Sequence, residues 1–205
     1  MVWIDCEMTG LNLATDALIE VAVLVTDANL NVLGDGVDVI ITPSQEALGQ
    51  MSGVVTAMHS SSGLLAELSS GMTMAEAEAQ ILDYVKAYVP EADKAPLAGN
   101  SVGMDRAFLH RDMPTLESYL HYRNIDVSSI KELARRWYPK AFFAAPDKHG
   151  NHRALGDIKD SITELRYYRE AIFVALPGPA KDVSKKIAAR YATFTSDSPT
   201  LPSIS

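Results

Sequence analysis

Two carboxylates stand two residues apart near the start of the chain, in Val2-Trp3-Ile4-Asp5-Cys6-Glu7-Met8-Thr9-Gly10. The run is apolar enough to be a strand. Successive strand side chains point to opposite faces, so Asp5 and Glu7 would emerge side by side. Like charges held that close repel unless something positive sits between them, and a divalent metal would serve. The plainer alternative is an amphipathic strand with Trp3, Asp5 and Glu7 facing water. A third carboxylate, Asp105, follows Gly99-Asn100-Ser101 on the first turns of a predicted helix. In α/β folds, functional groups gather there, outside the carboxyl ends of strands; a solvated charge favoured by the helix dipole is the plainer account. His152 and Asp157 make a second pair, five residues apart. Two ligands on one helix face need a spacing of three or four, so His152 would lie in a loop and Asp157 in the helix that follows. Alone, His152 reads as a surface histidine, and the chain has no second histidine at zinc-site spacing.

The joint pattern says more than its parts. Four carboxylates with one histidine suit a two-metal phosphodiester hydrolase, and hard oxygen ligands favour Mg²⁺ or Mn²⁺ over zinc. Two such ions about 4 Å apart can stabilise both the attacking and the leaving oxygen of an in-line displacement. A histidine, with an unperturbed pKa of about 6.5, is suited to taking the proton from the attacking water.

The elements that must position these groups can be read in outline. Residues 17–26 form a β-branched strand long enough to be buried on both faces. A turn at 29–31 leads to a third strand at 37–41, ended by Pro43. Short turns between three strands suggest an antiparallel meander. Residues 44–70 are polar and rich in Ser and Gly, with short helical pieces, and His59 falls in a predicted loop there. Thr73 and Glu76 have capping-box spacing before a helix whose apolar face is Ala77, Ile81, Leu82, Val85 and Val89. A short strand at 96–100 precedes helices at 102–111 and 114–119. Another strand at 125–127 runs into a helix that Ser128 would cap. Residues 138–150 read as a loop with Pro139, Pro146 and Gly150, and a long helix covers 154–175. The order predicts an α/β fold with a mixed sheet, antiparallel in its first three strands and parallel afterwards, flanked by helices. Residues 1–176 would form the domain, and 177–205 a C-terminal extension with one short helix and a disordered Ser/Thr/Pro-rich end.

Composition bounds the partners. At 205 residues, with 47% apolar and 21% charged side chains, the chain can bury a sizeable core. Its net charge of −8 excludes a basic track for long nucleic acid, because such grip comes from Lys and Arg neutralising phosphates. A short phosphate-bearing substrate remains compatible. Glu20, Thr26 and Asp27 interrupt the longest apolar runs, so no span of about 20 residues is available for a membrane. No secretory signal is visible, and the single Cys6 suits a reducing compartment, so a cytoplasmic protein is expected. Cys6 itself would be a small buried filler opposite the carboxylates.

The motifs resemble a known family. Asp5-x-Glu7, Asp105 after Gly-Asn-Ser, and His152-x-x-x-x-Asp157 together resemble the DEDD-type 3′→5′ exonuclease superfamily in its histidine-bearing branch. The strings Trp3 to Leu11, Gly99-Asn100-Ser101, His121 to Leu133 and His152 to Leu155 are similar to those of the oligoribonuclease family, over residues 2–171. The resemblance implies a ribonuclease-H-like fold and a homodimer that removes 5′-mononucleotides from the 3′ end of very short RNA, dinucleotides above all. It implies that Asp5, Glu7, Asp105 and Asp157 hold two Mg²⁺ or Mn²⁺ ions and that His152 is the general base. By the same resemblance Leu11 would wedge against a base. Ser101 and Ser128 would close around the 5′-phosphate end, with Tyr122 and Arg123 reaching over from the partner subunit. His59 would lie near the substrate.

Each peripheral role has an ordinary counterpart. Ser128 can be a helix cap, Tyr122 and Arg123 surface residues or a stacking pair within one subunit, Leu11 core, and His59 a loop histidine satisfied by serines. The chain also departs from the family. Val54 stands where a Trp often does, which removes a base-stacking platform worth ~1–3 kcal/mol per base, and residues usual before the first strand are absent. A DNA-trimming or proofreading nuclease is the alternative enzyme, and a metal- or RNA-binding module without catalysis the alternative outside enzymes. The five filled catalytic positions speak against that last reading.

Overall fold

The computed structural model describes residues 1–148 and 152–192. Five strands form one mixed sheet in the order β3-β2-β1-β4-β5. They are β1 (Val2–Met8), β2 (Leu18–Thr26), β3 (Val32–Ile40), β4 (Pro96–Gly99) and β5 (His121–Asp126). β2 pairs antiparallel with β1 and β3, whereas β4 runs parallel to both β1 and β5. The helices are α1 (Gln45–Gln50), α2 (Gly53–Ser61), α3 (Leu64–Glu67), α4 (Met74–Tyr88), α5 (Gly103–Asp112), α6 (Pro114–Tyr119), α7 (Val127–Trp137), α8 (Pro139–Phe143) and α9 (Ala154–Ala171). This is the predicted ribonuclease-H-like arrangement.

Alternation along β1 sorts the chain into two cores. Val2, Ile4, Cys6 and Met8 pack with Ile81 and Val85 of α4 and with Phe108 and Leu109 of α5. Trp3 points the other way, to Ala22, Leu24, Ala98, Val127 and the α9 residues Ile158 and Ile162. Its indole N–H donates to the Thr26 hydroxyl at 2.9 Å, so the largest side chain of the second core leaves no buried donor unpaired. Asp5 and Glu7 follow Trp3 by the same two-residue step and therefore reach the α9 side, while Cys6 is buried opposite them as expected. Contacts divide the chain into one unit of residues 1–172 and a second from 173 onward. The second contains α10 (Lys181–Arg190), which has no buried residue.

Several elements differ from expectation for identifiable reasons. β3 starts five residues earlier than the predicted third strand. The pair Gly34 and Gly36, a turn signal in sequence, instead continues the strand at φ of +73° and +87° through a register shift against β2. At this φ a side chain on Gly34 would be strained, and its Cβ would also have to displace the Tyr88 hydroxyl, 2.0 Å away. Pro139, read as part of a loop, opens α8, a first-turn position where the missing N–H costs nothing. Residues 149–150 of that predicted loop, and the predicted disordered end from 193, lie outside the described residues. α9 stops at Ala171, four residues early. Asp126, not Ser128, caps α7, its carboxylate accepting the Ser128 N–H at 2.9 Å. His59 is not in a loop: α2 extends through it, because Ser52 caps that helix and the Gly turn comes only at Gly63. The Thr73–Glu76 capping box forms as predicted.

Candidate active site

The three sheet-and-helix ends that carry the carboxylates meet at one place. β1 presents Asp5 and Glu7, and α9 presents Asp157. One carboxylate oxygen from each lies within 4.8 Å of the others. Asp105 reaches in from the first turn of α5, and its Oδ1 accepts the backbone N–H of Cys6 at 3.0 Å, which ties α5 to the middle of β1. All four line a cavity of about 450 Å³ together with Leu11, Val55, Met58, Asn100, Ser101 and Met104. Among the described residues, neither Lys nor Arg lines it.

Crowding shows in the protonation of these groups. Burial, then the neighbouring Asp105, Asp157, Glu7 and Glu20 charges, push the Asp5 carboxyl up to about 9. Burial and the facing Glu20 take Glu7 to about 8. Asp105 rises only to about 6, since its backbone hydrogen bonds offset part of the burial, and Asp157 is also raised, chiefly by burial. Acids that resist ionisation to this degree are what a cation-binding set looks like without its cation. An all-oxygen donor set of this kind fits a hard divalent ion.

The sequence relatives agree. A family model described as "Exonuclease" matches residues 2–165. Oligoribonuclease of Streptomyces coelicolor is 66% identical over 93% of this chain and 96% of its own length. That of Cutibacterium acnes is 63% identical over 95% and 96%. This chain belongs to the oligoribonuclease family. Like the exonucleases it groups with, it is a nuclease, a phosphodiester hydrolase. Among solved structures, exonuclease I of E. coli in complex with a dT13 oligonucleotide superposes with a TM-score of 0.64 at 18% identity, covering 82% of this chain. Exonuclease I from Methylocaldum szegediense gives 0.62 at 19%, covering 83%. This chain spans only about 40% of either, so the likeness is one of fold.

Around the carboxylates of this oligoribonuclease-family site, only some of the predicted residues line the cavity. Leu11, 67% exposed, and Ser101, held at φ +56° with its N–H on the Asp126 carboxylate, line the cavity. His152 is exposed, also at φ +56°, two residues before α9. It is not among the cavity's lining residues, although its charge lowers the pKa of Asp157. Ser128 donates its hydroxyl to Asp126 at 2.6 Å. Tyr122 and Arg123 lie on edge strand β5, where the guanidinium sits 5.3 Å over the Tyr122 ring, the stacking pair within one subunit. His59 is fully buried and is not among the cavity's lining residues. One of its nitrogens, Nε2, lies 2.9 Å from the Met8 carbonyl, and the other, unpartnered, lies 3.9 Å from Glu7.

Some contributors are not apparent from the chemistry-bearing motifs. Met58, Val55 and Met104 form the apolar wall; Val54 itself is exposed and does not line the cavity. Glu20, directly across from Glu7 in the β1–β2 register, is fully buried. It accepts from Arg153 at 2.7 Å and from the Ala154 N–H at 3.2 Å, and so anchors the first turn of α9 just after His152. Arg153 also forks onto Glu67 at 2.9 and 3.0 Å. A lone acid in an otherwise apolar strand was the available signal for Glu20.

Proposed function

We propose that this protein is a 3′→5′ exoribonuclease that degrades very short RNA, with dinucleotides preferred, to 5′-mononucleotides. The convergence of Asp5, Glu7, Asp105 and Asp157 on one cavity with no Lys or Arg among its described lining residues carries this reading. A volume of about 450 Å³ lies in the range of small-molecule sites rather than of tracks for polymers. The four carboxylates would hold two divalent ions, Mg²⁺ or Mn²⁺, which when bound would polarise the scissile phosphate and its attacking water. The carboxylates fix where the phosphate sits; Leu11, Met58, Val55 and Met104 offer apolar surface to the bases in place of the family's Trp. Ser101 would meet the 5′-phosphate end. Ser128 would join it by turning its hydroxyl from Asp126. His152 serves as general base, its side chain turning toward Asp157 when substrate is present.

The enzyme works as a cytoplasmic homodimer in this reading. Leu133 and Trp137 on α7 and Phe143 on α8 are exposed apolar side chains that a partner could cover, and in this reading the partner's Tyr122 and Arg123 reach over to the site. Among the described residues no helix is long and apolar enough to cross a membrane. The decisive assay follows nucleotide release from a 5′-phosphorylated diribonucleotide, from its deoxy counterpart and from a longer RNA, with Mn²⁺ or with a chelator. Release should need the metal, favour the diribonucleotide, and vanish in Asp5→Ala and His152→Ala proteins that remain folded. Cleavage in chelator, or full activity in either variant, would overturn the mechanism.

A further inference from the structure

The Leu11 side chain stands at the rim of the cavity on a loop, residues 10–16, and nothing in that loop is regular structure. What fixes it is a set of polar clasps. From inside, Asp16 receives the Thr9 hydroxyl at 3.2 Å and the Asn12 N–H at 2.8 Å. Gly10 is required for this, since a Cβ there would lie 2.4 Å from an Asp16 carboxylate oxygen. From outside, Arg111 donates one Nη to the Leu13 carbonyl and the other to the Asp16 carbonyl at 2.8 Å. Among the described residues, the hydrogen bonds that reach this loop from beyond residues 9–17 all come from Arg111. The guanidinium is itself held by Asp112 along one edge and by Phe108 beneath. Asp112 takes its Nε at 2.7 Å and an Nη at 2.5 Å, and the Phe108 ring lies 4.8 Å beneath it. A planar fork restrained in this way loses little rotamer freedom on binding two carbonyls, so it can act as a rigid clamp.

Arg111 also shares a helix with Asp105. The first turn of α5 touches β1 through Asp105 on the Cys6 N–H, and its last turn holds the loop that leaves β1. Six residues of α-helix separate the two anchors by about 9 Å along the axis. One rigid element thus sets the position of the loop against the carboxylate cluster.

We propose that Arg111 is a positioning residue that fixes Leu11 over the site and thereby sets how tightly the bases of a short substrate are held. It touches neither substrate nor metal; it acts through the Leu13 and Asp16 carbonyls. This rests on the reading above that Leu11 contacts a base.

The test is steady-state kinetics of the full chain on a 5′-phosphorylated diribonucleotide with Mn²⁺, for Arg111→Ala, Arg111→Lys, Leu11→Ala and the double variant, with melting temperatures alongside. Arg111→Ala should raise KM about tenfold while kcat stays within about twofold, the size expected from misplacing one base contact. Arg111→Lys should fall between, because an ammonium cannot bridge both carbonyls and the Asp112 fork. In the Leu11→Ala background, Arg111→Ala should add less than about twofold, since residues acting through one another are not additive. Should Leu11→Ala raise KM while Arg111→Ala leaves it unchanged, or should the two effects simply add, the inference fails and the base-contact reading stands. A fall in kcat with the melting temperature and no change in KM marks a merely structural arginine and also overturns it. An unchanged KM in Leu11→Ala overturns instead the reading on which the inference rests.

Discussion

Asp5 and Glu7 hold protons that an unfolded chain would release. Their carboxyls stand at about 9 and about 8 in the metal-free fold, against about 4 in a disordered chain. The folded state therefore binds more protons than the unfolded state between those limits, and stability falls as pH rises through them. With a chelator present, the melting temperature should drop steadily between about pH 5 and pH 9. Saturating Mn²⁺ should flatten that slope, because a cation replaces the protons. A chelated protein equally stable at both ends would show that these acids are not the crowded set described. Asp5→Asn separates the two consequences of one charge. It should raise the melting temperature of the metal-free protein at pH 8, because an amide folds without first taking up the proton that Asp5 needs there, and lower nucleotide release by more than about a hundredfold. The shared face of Asp5 and Glu7 was legible at this scale because two-residue alternation on a strand obeys local geometry. The placement of His59 was not: the serines around it read as loop, whereas Ser52 caps a helix that carries it into the core, with Nε2 at the Met8 carbonyl.

Elements place these residues through contacts that no local window contains. Glu20 and Ala154 lie 134 residues apart in sequence, yet their hydrogen bond and the Arg153–Glu20 ion pair fix where α9 begins, three residues before Asp157. In sequence Glu20 only interrupts an apolar run; the sheet register and the α9 crossing reveal its burial and its partner. Likewise the glycines of β3 sit in a continuous strand against β2, and Pro139 opens α8 rather than a loop, with Tyr167 donating to the Ala141 carbonyl. Because Glu20 is fully buried, Arg153→Met should destabilise the fold by about 3–5 kcal/mol, the usual consequence of leaving a buried charge unpaired. Glu20→Gln combined with Arg153→Met should recover most of that loss, since an uncharged amide can still accept from the Ala154 N–H. Urea unfolding at pH 7 reads both. If Arg153→Met unfolds at the wild-type midpoint, the pair is not what anchors α9.

For the whole molecule, charge and size decide what can be a substrate and how much chain is needed to act on it. A net charge of −8 and a cavity lined by four acids argue against a strong grip on added phosphates of longer RNA. Turnover per enzyme on a diribonucleotide should therefore exceed that on a chain of about ten nucleotides, and the gap should narrow as salt screens the repulsion. Equal rates at low salt would remove charge as the selecting principle. The C-terminal segment offers the one concentrated positive charge near the end of the chain, with Lys181, Lys185, Lys186 and Arg190 on α10. If that helix supplied the missing grip, its loss would weaken binding of longer RNA first. All the core residues named above lie before residue 173, and α10 buries none of its own. A chain ending at residue 176 should accordingly keep its melting temperature and its rate on the diribonucleotide, with any loss confined to the longer RNA. A truncated protein that failed to fold, or that lost activity on the dinucleotide, would place residues 177–205 within the catalytic domain.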